Sequence, residues 1–291
     1  MDRHAHWHRQ QTSAGLPVML PTEKPVPLDS PARPPVSYWG GKFNARRKIV
    51  EKMPPHKTYV EPFAGGANVL LAKPPSQREV IGDKNPAIMK VHRSVKAKAQ
   101  VWKMSPSRAK WEKIRHTPPS QRSAEDQAYL LRHSFSGQGR NYVNHYRGRD
   151  SDTGKAHDRE KDVFMVGTDF ATTMQRWDSE QTLHYLDPPY VKGGQEYEVT
   201  GVTPARVAQV AGKMKGKVMV SYDDRPEVRK AFKGKKWRQN RISFLYRGNK
   251  SSKNQNKVQN TELLITNYDI GKTRTSTRPF DESRAKKELH T

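Results

Sequence analysis

Cysteine is absent from this sequence. That excludes disulfides, thiolate zinc sites and every mechanism that needs a thiol nucleophile. Long apolar runs are also absent: no stretch of about 18 consecutive apolar residues occurs, so no membrane-spanning helix is expected. The N-terminus lacks the apolar centre of a signal peptide. Acids are scarce, with 29 Asp plus Glu against 54 Lys plus Arg and a formal net charge of +25. An excess of that size calls for a polyanionic partner, most simply nucleic acid. An anionic membrane surface is the weaker fit, because no basic amphipathic helix stands out. Apolar residues make up only 33% of the 291. Part of the chain is therefore expected to stay solvated around one enzyme-sized α/β domain with an insertion. A soluble, intracellular protein is the expectation.

Residues 1–35 are proline-rich, with Pro17, Pro21, Pro25, Pro27, Pro31, Pro34 and Pro35, and read as a disordered leader. His4, His6 and His8 alternate there, but in such a tail the solvated reading outweighs metal capture, and no metal site is expected. Ile49, Val50 and Met53 fit one face of a short helix stopped at Pro54-Pro55. A β-rich run at 58–60, the pair Gly65-Gly66, a helix at 68–72 and a second run at 79–83 together make one βαβ unit. Residues 91–162 change character. Crowded with Lys, Arg, His, Ser and Gln, they read as an inserted, mainly helical module with a mobile stretch from about Gly148 to Glu160. The β pattern resumes at 164–166, 183–186, 218–220, 242–246 and 262–266, with a cationic hairpin loop at 247–259. Residues 271–291 form a charged tail. The catalytic domain is thus assigned to 36–90 and 163–270.

Asp187-Pro188-Pro189-Tyr190 directly follows a β-rich run. It reads as a proline-stiffened turn, or as chemistry. Two prolines rigidify the backbone just past a strand, where open α/β sheets place their ligands. They would hold together an acid, a carbonyl and an aromatic face, a set suited to a flat heterocycle with an amino group. Glu61-Pro62-Phe63-Ala64-Gly65-Gly66 links a strand to the next element, and its glycines allow a cofactor close to the backbone. Asp83 is placed either to hold a ribose or to cap the segment starting at Asn85-Pro86. Glu61, Asp83, Asp169 and Asp187 each follow an expected strand. Four carboxylates on one rim would repel a phosphate-rich dinucleotide and favour a cationic cofactor such as S-adenosylmethionine. Trp39-Gly40-Gly41-Lys42 reads by itself as a tight turn with a solvated lysine.

Taken in order, these motifs resemble those of the Dam-type (D12 class) DNA adenine-N6 methyltransferases. Trp39 to Lys42, Glu61 to Gly66, Asp83 to Pro86, Asp169-Phe170, Asp187 to Tyr190 and the run Glu262 to Tyr268 all match the family pattern. The resemblance implies the class I S-adenosylmethionine-dependent methyltransferase fold, a Rossmann-like mixed sheet with helices on both faces, plus an inserted target-recognition module. It implies Trp39, Lys42, Glu61, Phe63, Gly65, Asp83, Asp169 and Phe170 around the cofactor, with Asp83 on the ribose and Asp169 on the adenine amine. Asp187, Pro188 and Tyr190 would hold a flipped adenine, and Tyr197 lies in a stretch like the loop that covers that base. Missing cysteine excludes methylation at the cytosine ring carbon, and Asp at position 187 points to adenine. Candidate DNA contacts are Arg132, Arg140, Arg147 and Arg149 in the insertion and Lys250, Lys253 and Lys257 in the late loop. The insertion departs from the family: Leu130 to Asn141 matches its motif loosely, and the usual Asn-Val-Pro-Phe-Gly hairpin is absent. The implied partner is double-stranded DNA in the cytoplasm of a bacterial or phage-infected cell. A non-catalytic DNA-binding protein on the same fold and an RNA adenine methyltransferase remain the alternatives.

Overall fold

The computed structural model describes residues 10–11, 17–18, 27–29, 31–36, 38, 40–98, 102, 104–144, 153–190, 201–246 and 258–271. Its centre is a sheet of seven strands: β1 (Thr58–Glu61), β2 (Arg78–Gly82), β3 (Phe164–Val166), β4 (Thr182–Leu186), β5 (Lys217–Asp223), β6 (Arg238–Tyr246) and β7 (Val258–Thr266). They stand in the order β3-β2-β1-β4-β5-β7-β6. Neighbours from β3 to β5 are parallel, and β7 is antiparallel to both β5 and β6. The chain steps outward from β1 to β3, then restarts on the other side of β1 with β4. That reversal opens a crevice beyond the strand ends of β1 and β4, where such sheets bind ligands.

Period-two alternation sorts the side chains between two cores. Tyr59, Ile81, Tyr185, Met219 and Leu264 enter one, and Leu186, Val218, Val220, Leu263 and Ile265 the other. The first core is covered by α1 (Arg46–Val50), α2 (Pro86–Ala97), α3 (Arg108–His116), α4 (Ala124–Arg132) and α5 (Thr153–Glu160). The second is covered by α6 (Phe170–Arg176), α7 (Pro204–Gly212) and α8 (Pro226–Ala231). Caps mark several starts. Asn85 accepts from the Ala87 N–H ahead of Pro86, Ser123 and Asp126 form a reciprocal capping box, and Thr203 caps α7 ahead of Pro204. Each such cap stabilises its helix by about 1 kcal/mol. Among the described residues no helix is long and apolar enough to cross a membrane.

Three expectations need correction. The helix read at 68–72 is only a 3-10 turn, Leu70–Ala72, because Ala67 just before it sits at φ 52° and Pro74-Pro75 follow it. The stretch read as mobile up to Glu160 contains α5, whose Thr153, Ala156 and Glu160 are buried while Lys155 and Asp158 lie outward and Arg159 turns in to Glu79. Order also reaches into the expected leader. The Leu28 amide bonds to the Ala72 carbonyl, Ala32 and Val36 are buried, and Gln10–Gln11 pairs with Pro17–Val18. The alternating histidines 4, 6 and 8 lie outside the described residues. Within 91–162, Trp111, Ile114, Tyr129 and Leu130 join the same core as the sheet, and α2 runs through the expected boundary at residue 91.

Candidate active site

Beyond β1 the chain makes the turn on which the site is built. Gly65 adopts φ 47°, and a Cβ there would meet the Tyr38 ring at 2.9 Å, so glycine is required twice over. The Gly65 amide donates to Asp83 Oδ2 at 3.0 Å, and its carbonyl accepts from His92 Nε2 at 2.8 Å. Asp83 Oδ1 accepts from the Asn85 amide at 2.9 Å, so Asp83 ties the two loops together while Asn85 caps α2. Burial raises the Asp83 pKa, against the pull of these two amides and of the nearby His92 charge. His92 lies between two acceptors, Gly65 O and Glu160 Oε1 at 3.0 Å. Both ring nitrogens therefore donate, and the ring is an imidazolium. Burial opposes that charge, but Glu160 and the Gly65 carbonyl carry the His92 pKa up to about 9.

A pocket opens beside this turn, lined by Pro62, Phe63, Asp83, Lys84, Asp169, Phe170 and Val202. The Phe63 and Phe170 rings lie 5.0 Å apart at 31°. Asp169 caps α6 through the Ala171 amide at 3.0 Å. The same Oδ1 accepts from Arg206 Nη2 at 3.0 Å, and the Arg206 guanidinium stands 4.9 Å from the Phe170 ring centre. Aromatic walls with an acid on either side could hold a flat heteroaromatic group and its hydroxyls.

Next to it, past β4, Asp187 faces Lys42. The lysine Nζ donates to Asp187 Oδ1 at 2.6 Å and to the Gly40 carbonyl at 2.9 Å. It also stands 4.6 Å from the Tyr190 ring centre and 3.9 Å from Glu262 Oε2. Lys42 is 4% exposed, so the solvated-lysine reading is wrong. Its ammonium meets Asp187, and Lys42 does not line the Phe63–Phe170 pocket. Burial raises the Asp187 pKa to about 6; Lys42 lowers it and Glu262 raises it further. Burial, with the charges of Asp187 and Glu262, holds the Tyr190 phenol well above the ordinary range. The Tyr190 hydroxyl also faces the Glu262 carboxylate, close enough for that contact to contribute to the rise, but neither it nor Glu262 Oε2 completes a well-aligned hydrogen bond among the described residues.

Glu61 is placed differently from the expectation. It is 2% exposed and lies beneath the turn, where its Oε2 accepts from the Tyr59 hydroxyl at 2.9 Å and the Leu70 amide at 3.0 Å. Burial raises its pKa to about 8 despite those bonds, so it is largely protonated at neutral pH. The acids on the rim are instead Asp83, Asp169, Asp187 and Glu262, and two of them already carry a cation. Charge alone therefore discriminates between cofactors less than four bare carboxylates would.

Arg132 points its guanidinium at the Pro34 and Pro35 carbonyls, each at 3.5 Å, and Arg140 is exposed. Trp39, Arg147, Arg149, Tyr197, Lys250, Lys253 and Lys257 lie outside the described residues. Glu262, Arg206 and His92 were not singled out from the sequence. Glu262 alone carried a signal, an acid directly before the apolar run Leu263 to Ile265.

Seven strands in this order, with helices on both faces, form the class I methyltransferase fold. Residues 38–132 match the family model described as D12 class N6 adenine-specific DNA methyltransferase. That match agrees with the motif resemblance within the N-terminal half of the chain. It runs from Tyr38 through α4, and thus includes the first part of the expected insertion but not Asp187 to Tyr190. No curated protein matches the chain. Among solved structures, a precorrin 8W decarboxylase from Methanobacterium thermoautotrophicum aligns over 73% of this chain and 82% of its own, at 11% identity and a TM-score of 0.37. That likeness is too low to bear on function.

Proposed function

We propose that this chain moves the methyl group of S-adenosylmethionine to the 6-amino group of an adenine drawn out of duplex DNA. The observation that carries the reading is the convergence of Asp187, Pro188 and Tyr190 on the same rim as the Gly65 turn. Asp187 is near enough to Glu61 for its charge to raise the pKa there. The residues of the neighbouring pocket fit an adenosyl cofactor. Phe63 and Phe170 supply the walls, Asp83 an acceptor for ribose hydroxyls, and Asp169 an acceptor for the adenine amine. Bound there, the cofactor supplies an electrophilic methyl on a sulfonium.

An adenine amine is a weak nucleophile because its lone pair is delocalised into the ring. Asp187 accepts one of its hydrogens and the Pro188 carbonyl the other, which favours a tetrahedral nitrogen with a usable lone pair. Tyr190 stacks on the base, offsetting part of the few kcal/mol lost on leaving the duplex. Positioning supplies much of the acceleration. The surplus of 54 basic over 29 acidic residues supplies the grip on phosphates, with exposed Arg140 among the contacts. Residues 91–162 serve as the target-recognition region.

Replacing Asp187 with Ala should lower methyl transfer about 1,000-fold or more, with cofactor affinity nearly unchanged. Near-normal turnover would refute the assignment. Sequencing the methylated adenines in DNA from cells that express the chain establishes the target. Labelled methyl appearing in RNA rather than DNA, when both are offered, would move the substrate to RNA.

A further inference from the structure

Lys42 stands where the target amine is to be read. Its nitrogen carries hydrogens, bonds Asp187 Oδ1 at 2.6 Å and lies over the Tyr190 ring at 4.6 Å. An adenine amine held by Asp187 above Tyr190 needs the same space, so the ammonium must move as the base arrives. Leaving Lys42 buried with no carboxylate would be costly.

A second acceptor is at hand. Glu262 lies on β7, paired with Asp223 of β5, which brings it to the rim from the antiparallel part of the sheet. Its Oε2 is 3.9 Å from the ammonium, beyond hydrogen-bond range, and although the Tyr190 hydroxyl faces the carboxylate, no well-aligned hydrogen bond reaches Oε2 among the described residues. A buried carboxylate oxygen left unbonded is unfavourable, and a structural ion pair would be expected to close that gap. A shift of about 1 Å at the end of the flexible lysine stem would bring the two into contact.

We infer that Glu262 is a positioning residue that takes the Lys42 ammonium from Asp187 when the target amine enters. Asp187 is thereby freed for the base, and the ammonium never lacks a counter-charge. The inference rests on the reading of Asp187 as the amine acceptor.

Glu262→Gln, Lys42→Met and the double variant test it in the full chain with cofactor bound. The DNA carries the sequence that the wild type methylates, with either adenine or amine-free purine at the target. Glu262→Gln should raise KM for adenine DNA about tenfold, the effect of one charge-assisted hydrogen bond. Its affinities for purine DNA and for cofactor should not change, because purine brings no amine to displace the lysine. Adding Lys42→Met should recover most of the lost KM. Equal weakening on adenine and purine DNA, or no recovery in the double variant, overturns the inference. Should Glu262→Gln fail to fold, Lys42→Met alone decides: it should favour adenine DNA over purine DNA more than the wild type does, and an unchanged ratio overturns the inference. A wild type that methylates no DNA overturns the reading of Asp187 instead, and this inference with it.

Discussion

Two buried lysines sit at opposite ends of the same sheet, and they are bonded differently. Lys73, near the start of β2, uses all three ammonium hydrogens: Glu79 Oε1 at 2.5 Å, the Pro74 carbonyl at 2.7 Å and Ser76 Oγ at 2.8 Å. Glu79 is held in turn by both terminal nitrogens of Arg159 and by the Ser76 amide. Burial would raise the Glu79 pKa, but the Lys73 and Arg159 charges hold it below the ordinary value. Lys42, beyond the end of β4, bonds Asp187 and a carbonyl, and a second carboxylate stands just out of its reach. The first network is complete and can only hold; the second has an unused acceptor and can rearrange. In the Lys73–Glu79–Arg159 network every charged group is bonded, whereas the Lys42 end keeps an acceptor unbonded.

Removing one partner from the complete network should have the largest effect on folding. Glu79→Gln leaves Lys73 and Arg159 close together without their counter-charge, at a cost of about 3–5 kcal/mol of stability. Thermal unfolding should show a large drop in Tm, while methyl transfer per folded molecule stays unchanged. Lys42→Met, by contrast, should lower Tm less, because the acids it leaves behind, Asp187 and Glu262, are 17% and 14% exposed and water can reach them. Equal losses of stability from the two substitutions would erase the difference between the two ends.

The His92 knot adds a pH signature to the structural side. Its folded pKa, about 9, lies above the ordinary 6.5, so its stabilisation is complete below about pH 6.5 and is lost as pH rises through 9. His92→Leu should remove that alkaline loss from the stability curve while lowering stability at pH 6. Denaturant midpoints measured from pH 6 to 9.5 check it, and an unchanged slope would show that the ring is neutral in the fold.

At the catalytic end the pH signature is in rate. In its proposed role Asp187 must be ionised to accept from the amine, and burial raises its pKa to about 6. Methyl transfer in single turnovers should fall about tenfold for each pH unit below 6. Lys42→Met removes the neighbour that lowers this pKa, so the acid limb should move upward. A flat wild-type profile down to pH 5 would argue against ionised Asp187 as the acceptor.

The sequence made one end of the molecule more legible than the other. Strands at 58–61, 164–166 and 182–186 could be placed because alternation and turn residues are local signals. Asp187 and the Gly65 turn follow directly from them. The 3-10 turn at Leu70–Ala72 was missed because apolar residues around a short helix and around a tight loop look alike, and Ala67 gives no sign of its left-handed backbone. Partners far apart in the chain were missed altogether. Lys42 and Asp187 are separated by 145 positions, and His92 and Glu160 by 68. Glu262 reaches the site only because β7 inserts between β5 and β6, a crossing no periodicity reveals.

The smallest expected effect concerns Arg206, whose ion pair with Asp169 on the rim is open to solvent. Its side chain is 39% exposed and that of Asp169 28%, so the pair contributes about 0–1 kcal/mol. It nonetheless occupies Asp169 Oδ1, the oxygen proposed for the cofactor's adenine amine, and lies against Phe170. If the arginine only competes, Arg206→Ala should tighten S-adenosylmethionine by up to about fivefold in calorimetric titration, with little change in Tm. If it is instead a third aromatic-facing wall, the same variant should weaken cofactor binding, because a cation over the ring stabilises by a similar amount. The sign of the change therefore tells whether the Phe63–Phe170 pocket behaves like the rearranging end of the sheet or the fastened one.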